Sequence, residues 1–328
     1  MKSAFVTGAN GFVGSHLCER LIEEGYKVYA LARPGSNLRW IHHLPLKMVF
    51  GDLLEPARYL NIMAECDVVF HVAGVTRARS REAYFNGNFK ATQVLVDALL
   101  SRKRPKGQRF VFVSSQAAWG PSASLEPIDE NTPPRPLTWY GESKLKAQEY
   151  VWHNRKILQA AIACPPAVYG PRDTDVLHFL KAVSKGVIPQ LEGRDRYASF
   201  IHVSDLARGL ALMGRHEAAP EDIFFLAHNR PFAWSELARI TLDTLGKRGV
   251  VVPVPMPIMQ LTALFSDWAN RFKKKPSIIS RQKLIEMRQD FWVCSPKKAE
   301  KKLGFSCQTD IREGIRQTLE WYYQHGWL

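Results

Sequence analysis

A doubly wound α/β fold, a parallel sheet with helices on both faces followed by a smaller C-terminal α/β domain, is what three features of this 328-residue chain predict. Short apolar runs alternate with stretches of helical periodicity over the first half. A glycine-rich turn joins the first run to the first helix, and after Pro171 the alternation becomes irregular and punctuated by proline. Strands that alternate with helices need crossover connections, and such connections build parallel sheets buried on both sides.

Taken in order, Lys2 to Val6 reads as a buried strand, Phe12 to Glu24 as a helix and Lys27 to Ala32 as a second strand. Lys47 to Phe50 follows as a strand, Ala57 to Glu65 as a helix and Val68 to Val72 as a strand. A helix over Ala91 to Arg102 leads to the strand Phe110 to Val113. The loop from Pro121 to Pro136 precedes a helix over Trp139 to His153, and the apolar run Ile157 to Ala163 supplies another strand. Residues 1–171 are thus expected to form one domain and 172–328 a second, with 200–217 packing back on the first. Near the C-terminus, Ser295 and Pro296 fit an N-cap and first helical residue, Gly304 a stop, and Asp310 with Glu313 a capping box.

A hydrophobic content of 46% is ample for one large domain or two smaller ones. The opening MKSAFVTGANG lacks the long apolar stretch of a signal peptide, and no run reaches the roughly 18 apolar residues of a membrane span. Five scattered cysteines without CxxC spacing suggest neither a disulfide framework nor a metal site, and a cytoplasmic location is expected. The net charge of +14 favours an anionic partner: a phosphorylated cofactor, an acidic substrate, nucleic acid or an anionic membrane. No nucleic-acid motif accompanies the charge, so nucleic acid is not expected as a partner. The lysine runs at 273–275 and 297–302 fit solvated helix faces.

Gly8, Gly11 and Gly14 stand in TGANGFVG, directly after the first strand and opening the first helix. In that setting glycines let the backbone approach a pyrophosphate while the helix N-terminus offers N–H groups, which is the dinucleotide site of a Rossmann fold. The second strand ends in Leu31, Ala32, Arg33, with no acid to take a ribose 2'-hydroxyl. Arg33, helped by Ser36 and Arg39, could instead pair with a 2'-phosphate, so NADP is expected as cofactor with NAD as the alternative. Asp52, after Gly51, is placed to contact the adenine.

Tyr140 and Lys144 lie four apart on a helix and therefore on one face. An ammonium beside a phenol favours the phenolate and so makes tyrosine a usable acid or base near neutrality. Ser115, just past the fifth strand, can hydrogen-bond a substrate oxygen.

These residues carry a resemblance to the extended short-chain dehydrogenase/reductase superfamily, which includes the NAD-dependent epimerases and dehydratases. TGANGFVG, HVAG, NFKAT, FVFVSSQAAWG, YGESK, PPAVYGPRD and FIHVSDLA match its signatures in order over nearly the whole chain. The resemblance implies Tyr140 as acid/base, Lys144 on the nicotinamide ribose, Ser115 polarising the substrate oxygen and Asn88 in a proton relay. It implies cofactor contacts from Thr7, Gly8, Asn10, Gly11, Phe12, Val13 and Gly14, from Arg33, Asp52 and Leu53, from Val72, Ala73 and Gly74, and from Pro165, Ala167 and Val168. It also suggests a homodimer built on the helices around Ala91 to Arg102 and Tyr140 to Tyr150.

Within that superfamily the nucleotide-sugar epimerases typically show RYxNxYGP, whereas this chain reads Cys164, Pro165, Pro166, Ala167, Val168, Tyr169, Gly170, Pro171. Their diphosphate-holding arginine falls at Ala198, with Arg196 two residues earlier. Arg33, HVAGVTRA and the tail WVCSPKKAEKKLGF are more similar to the 3β-hydroxysteroid dehydrogenase and dihydroflavonol reductase branches. The expected activity is alcohol–ketone redox on a fairly apolar small molecule; a nucleotide-sugar epimerase or dehydratase with tightly held NAD is the alternative, and a non-catalytic redox sensor is disfavoured by the intact Ser115, Tyr140 and Lys144. Between Pro257 and Pro276, Ile258, Leu261, Phe265, Trp268 and Phe272 form one helical stripe next to Lys273, Lys274 and Lys275. The stripe fits either packing in the second domain or peripheral contact with an anionic membrane.

Overall fold

A computed structural model of the chain describes residues 1–269 and 280–328, and the side chains of all of these except 265–269, so Phe265, Trp268, Phe272 and Lys273 to Lys275 of the expected stripe and lysine run lie outside the described side chains. Its centre is a seven-stranded, wholly parallel sheet. The strands are β1 (Ser3–Thr7), β2 (Lys27–Ala32), β3 (Lys47–Phe50), β4 (Val68–His71), β5 (Arg109–Val113), β6 (Ala160–Ala163) and, far along the chain, β11 (Asp222–Phe224). Their spatial order is β11-β6-β5-β4-β1-β2-β3, the Rossmann order with one strand added at the edge. Between them lie β7 (Ala167–Tyr169), β8 (Val187–Leu191), β9 (Tyr197–Ala198) and β10 (Phe200–His202). Every residue of β4 and β6 is buried, as strands covered on both faces must be.

One face is covered by α1 (Phe12–Glu23), whose Leu17, Cys18 and Leu21 pack with Leu206, Leu210 and Met213 of α8 (Val203–Arg215). The other face carries α2 (Leu60–Glu65), α4 (Ala91–Leu100) and α5 (Trp139–His153), with Leu95, Leu99 and Val151 against Phe110 and Phe112. The short α3 (Arg81–Phe85) runs through a π-type turn over Asn86–Lys90 into α4. Residues 200–217 thus pack on the main sheet through α8, and the chain returns to it again at β11.

The remaining elements are α7 (Leu177–Ser184), β12 (Phe232–Ala233), α9 (Trp234–Thr244), β13 (Val250–Val254), α10 (Met256–Ala269), α11 (Arg281–Met287), β14 (Phe291–Trp292), α12 (Lys297–Leu303) and α13 (Ile311–Gln324). α12 packs on the main-sheet core through Ala299 and Leu303, whereas α7, β12, α9, β14 and α13 surround a separate aromatic-rich core. Phe200, Phe232, Leu237, Ile315, Leu319 and Tyr322 fill that core. β12, β9 and β14 form one small sheet there, and β13 pairs with β8 as a parallel ribbon.

Three expected details differ. The run Ile157 to Ala163 is not all strand: α6 (Arg155–Leu158) turns once, Gln159 takes a left-handed φ of 49°, and β6 starts at Ala160. A seven-residue apolar run cannot distinguish a helical turn from a strand by periodicity alone. Pro296 is the N-cap of α12 instead of its first residue, and the Ser295 hydroxyl is 3.4 Å from the Lys297 N–H. Asp310 does cap α13 through the Arg312 N–H at 2.9 Å, but Glu313 pairs with Arg316 and Gln317 because charged and amide donors one turn ahead reach it. Gly304 ends α12 in the left-handed conformation as expected.

Candidate active site

The turn after β1 is shaped by contacts that exclude a side chain. Gly8 has φ +68°, and a Cβ there would stand 2.7 Å from the Ala73 nitrogen; a Cβ on Gly14 would stand 2.1 Å from the Gly8 carbonyl oxygen. The Gly11 N–H closes the turn on the Gly8 carbonyl at 3.0 Å, and α1 opens at Gly11 without a side-chain cap. Its first-turn N–H groups and positive dipole end are therefore available to a pyrophosphate, so the residues present fit a dinucleotide.

Behind the turn runs a buried hydrogen-bond chain. The Ala73 N–H donates to the Thr7 hydroxyl at 3.2 Å, and Thr7 meets Nδ1 of His71 at 2.8 Å. His71 Nε2 lies 2.9 Å from the Thr92 hydroxyl, which itself donates to the Asn88 carbonyl at 2.6 Å. Because the Thr92 hydrogen is used on that carbonyl, Nε2 carries the ring proton and Nδ1 accepts from Thr7. Burial pushes the His71 pKa down to about 3, which keeps the ring neutral. Thr7 thus stands one step behind the cavity, holding the loop that carries Ala73. Sequence reasoning missed this chain, although a histidine inside the apolar run Val68 to Val72 was its visible signal.

Lys144 is buried, donates from Nζ to the Val113 carbonyl at 2.6 Å and lies 4.6 Å from the Phe112 ring centre. Its burial lowers its pKa to about 8. Tyr140, one turn earlier on α5, is pushed up to about 12 by burial, against a hydrogen bond with Ser115 that pulls it down; the Glu286 carboxylate and Tyr84 add to the rise. Burial is the largest influence on Tyr140, and the phenol carries its proton at neutral pH. Ser115 caps a 3-10 turn over Gln116–Ala118, accepting from the Ala117 N–H at 3.1 Å. Asn88 donates to the Val75 carbonyl (3.1 Å) and the Ser143 hydroxyl (2.8 Å) and accepts from the Val75 N–H (2.7 Å). Both of its amide hydrogens are engaged in tying the β4 loop to α5.

The N-terminus of α5 is held from the second core. The Thr138 hydroxyl caps the Gly141 N–H at 3.2 Å, Gln282 of α11 accepts the Trp139 N–H at 2.8 Å, and Glu286 faces the Thr138 hydroxyl at 3.3 Å. None of these α11 contacts was foreseen, since they join residues more than 140 positions apart.

One continuous cavity of about 1940 Å³ joins these parts. The predicted Gly8, Asn10, Gly11, Phe12, Val13, Gly14, Arg33, Asp52, Leu53, Val72, Ala73, Gly74, Pro165, Ala167 and Val168 line one arm, and Ser115, Tyr140 and Lys144 stand at its centre. Thr7 and Asn88 do not line it. Ser36 joins Arg33 in the wall, whereas the Arg39 guanidinium lies 4.0 Å from the Trp40 ring centre, away from it. Asp52 accepts the Leu54 N–H at 2.9 Å. The other arm is walled by Phe179, Ile188, Leu191, Trp234, Val254 and Met259. Arg196 in that wall is nearly buried, with Glu192 at 3.2 Å and Asp290 at 3.6 Å and a bond to the Leu191 carbonyl at 2.6 Å.

A Rossmann sheet with a glycine cradle, opening onto a tyrosine and a lysine one helical turn apart, defines an NAD-dependent oxidoreductase of the extended short-chain dehydrogenase/reductase type. The chain belongs to the NAD dependent epimerase/dehydratase family, whose profile matches residues 4–227. It is similar to ceramide reductase of Caulobacter vibrioides, with 28% identity over 325 residues covering 98% of this chain and 95% of that protein. It is also similar to the decarboxylating sterol-4-alpha-carboxylate 3-dehydrogenase of Dictyostelium discoideum, with 24% identity over 330 residues covering 96% and 99%. The solved UDP-glucose 4-epimerase of Thermotoga maritima shares the fold at 19% identity, with a TM-score of 0.79 over 98% of this chain and 99% of that one.

Proposed function

We propose that the enzyme interconverts a ketone and a secondary alcohol on an apolar, lipid-like substrate, with NADP(H) as the preferred cofactor and NAD(H) as the alternative. The observation that carries this reading is the apolar wall beyond Tyr140, formed by Phe179, Ile188, Leu191, Trp234 and Met259. Several cations in the same wall are met from within the protein: Arg196 pairs with Glu192 and Asp290, Arg77 with Asp175 and Lys283 with Glu286. Two relatives are named for a ceramide and a sterol carboxylate, both largely apolar molecules.

In this reading residues 1–171 supply the cofactor half and 172–328 the substrate half. The Tyr140 phenol gives its proton to the carbonyl oxygen in reduction and the Ser115 hydroxyl donates a hydrogen bond to the same oxygen. Lys144, anchored on Val113, has two further N–H groups for the ribose hydroxyls. A nicotinamide bound in the arm lined by Gly8, Gly11 and Gly14 would supply or take up the hydride. Asn88 acts by holding the Val75 loop and α5 in register. Arg33 and Ser36 take the 2'-phosphate. α4 and α5 lie side by side, joined by Tyr150 and Asp97, and offer the surface for a homodimer.

The test is nicotinamide turnover with NADPH and NADH against a 3-ketosteroid, a long-chain β-keto acid and a 3-keto sphingoid lipid, with UDP-glucose in parallel. Net cofactor oxidation by at least one apolar ketone is expected. Conversion of the UDP-sugar without net cofactor turnover would overturn the reading in favour of an epimerase.

A further inference from the structure

Val251 and Val254 of β13, Met259 of α10 and Ile188 of β8 belong to the cavity wall. The same elements also carry apolar side chains outside it: Val250, Val252, Ile258, Leu261 and Leu264 are 66%, 39%, 55%, 66% and 46% exposed. Val251 is both in the wall and half exposed, so the apolar surface runs without a break from the cavity to the exterior. The ribbon of β13 and β8 has two strands only, and no third strand covers it among the described residues. Scattered apolar residues on a surface are ordinary, but a contiguous group at the mouth of a cavity marks a contact site.

Charge decides what makes the contact. Residues 247–264 contain two bases, Lys247 and Arg248, and no acid, in a chain whose net charge is +14. Lys247 and Arg248 are exposed immediately before β13, and exposed Arg288 reaches Met256 at the start of α10 at 3.4 Å. A second copy of the chain seated on this face would bring like charges together, which is unfavourable. Anionic headgroups are attracted by the bases while the apolar residues enter the acyl boundary. No helix among the described residues is long and apolar enough to cross a membrane.

We propose that the face formed by β13 and α10 docks on an anionic bilayer and that the lipid-like substrate passes from the bilayer into the cavity beside Val251. The proposal deepens the function proposed above and rests on it for the identity of the cargo, while the surface itself is tested separately.

The full-length protein is floated with vesicles of phosphatidylcholine alone and with vesicles containing phosphatidylglycerol, at low and high salt. Binding to the anionic vesicles that weakens with salt is expected. The double variant Ile258→Glu, Leu261→Glu should reduce that binding by about tenfold or more, because apolar burial is replaced by charge repulsion. Its turnover of a short water-soluble ketone should equal that of the unmodified protein, and its turnover of the same ketone on a vesicle-embedded chain should fall. The pair Lys247→Gln, Arg248→Gln should reduce the salt sensitivity. Absence from both vesicles at low salt, or unchanged binding by the double variant, would overturn the proposal. So would a change in the sedimentation coefficient of the lipid-free double variant, which would give the face to a second copy. Vesicle binding without turnover of any ketone would sink the proposed function and leave the surface standing.

Discussion

Tyr140 is a neutral phenol in a site that removes it from water, with its pKa pushed up to about 12 and the Ser115 hydroxyl as hydrogen-bond partner. Proton donation in the reductive direction suits that state. Tyr140→Phe keeps the ring and removes the proton carrier, so turnover should fall by about 10²-fold or more while cofactor affinity holds, measured by steady-state kinetics beside a fluorescence titration. Unchanged turnover would remove Tyr140 from the chemistry. Arg33 works on a different question. It lines the cavity with Ser36, and Arg39 is turned toward Trp40, so the burden of a 2'-phosphate falls on one guanidinium. Arg33→Ala should raise the NADPH dissociation constant by about tenfold or more and leave that of NADH nearly unchanged. Equal losses would make it a turn residue.

At the scale of elements, α5 has a predictable body and an unexpected anchor. Its own Thr138 caps the Gly141 N–H, but the Trp139 N–H depends on Gln282 of α11. Neighbours of Gln282 on α11, including Ile285 and Met287, line the cavity. The helix that carries Tyr140 is therefore positioned by an element that also lines the cavity. Gln282→Ala leaves that N–H without its acceptor and should destabilise the fold by about 1 kcal/mol, as loss of a helix N-cap does. It should also lower kcat more than it changes cofactor affinity. Gln282→Glu retains an acceptor and should recover most of both; failure of that rescue would show that α11 acts by packing alone.

Across the whole molecule, buried titratable groups set an acid limit with opposing signs. His71 is neutral in the fold, with its pKa near 3 against 6.5 when unfolded. The unfolded chain binds that proton first, so the stability His71 contributes is complete above pH 6.5 and is lost as pH falls, by about 2 kcal/mol between 6.5 and 5. His202, held down at about 4, acts in the same sense. Asp173 runs the other way: burial raises its carboxyl to about 7, so the folded state takes up a proton at pH values where the unfolded state does not. Urea unfolding at pH 7 and pH 5 should show a net loss on acidification. Asp173→Asn removes the opposing uptake and should enlarge that loss by about 2 kcal/mol. A smaller loss in the variant would reverse the assignment of Asp173 as a protonated group.

The Rossmann frame, the glycine cradle and the placement of Tyr140 and Lys144 one turn apart on α5 follow from the order of residues along the chain. Each depends on local order: the alternation of apolar runs, a turn that leaves no room for Cβ at Gly8 and Gly14, and the four-residue step that places two side chains on one face. Helix identity at residues 155–158 was not legible, because a short apolar run fits either state. Contacts between distant residues set the hydrogen-bond chain from Thr7 through His71 to Thr92, whose first link spans 64 residues, and the seat of α11 on α5, which spans 143. The same long-range packing makes burial the largest influence on Tyr140 and leaves Ile258 and Leu261 facing outward. Periodicity states that one side of a helix is apolar; what that side meets, and how much water each titratable group loses, is set by contacts between residues far apart in the chain.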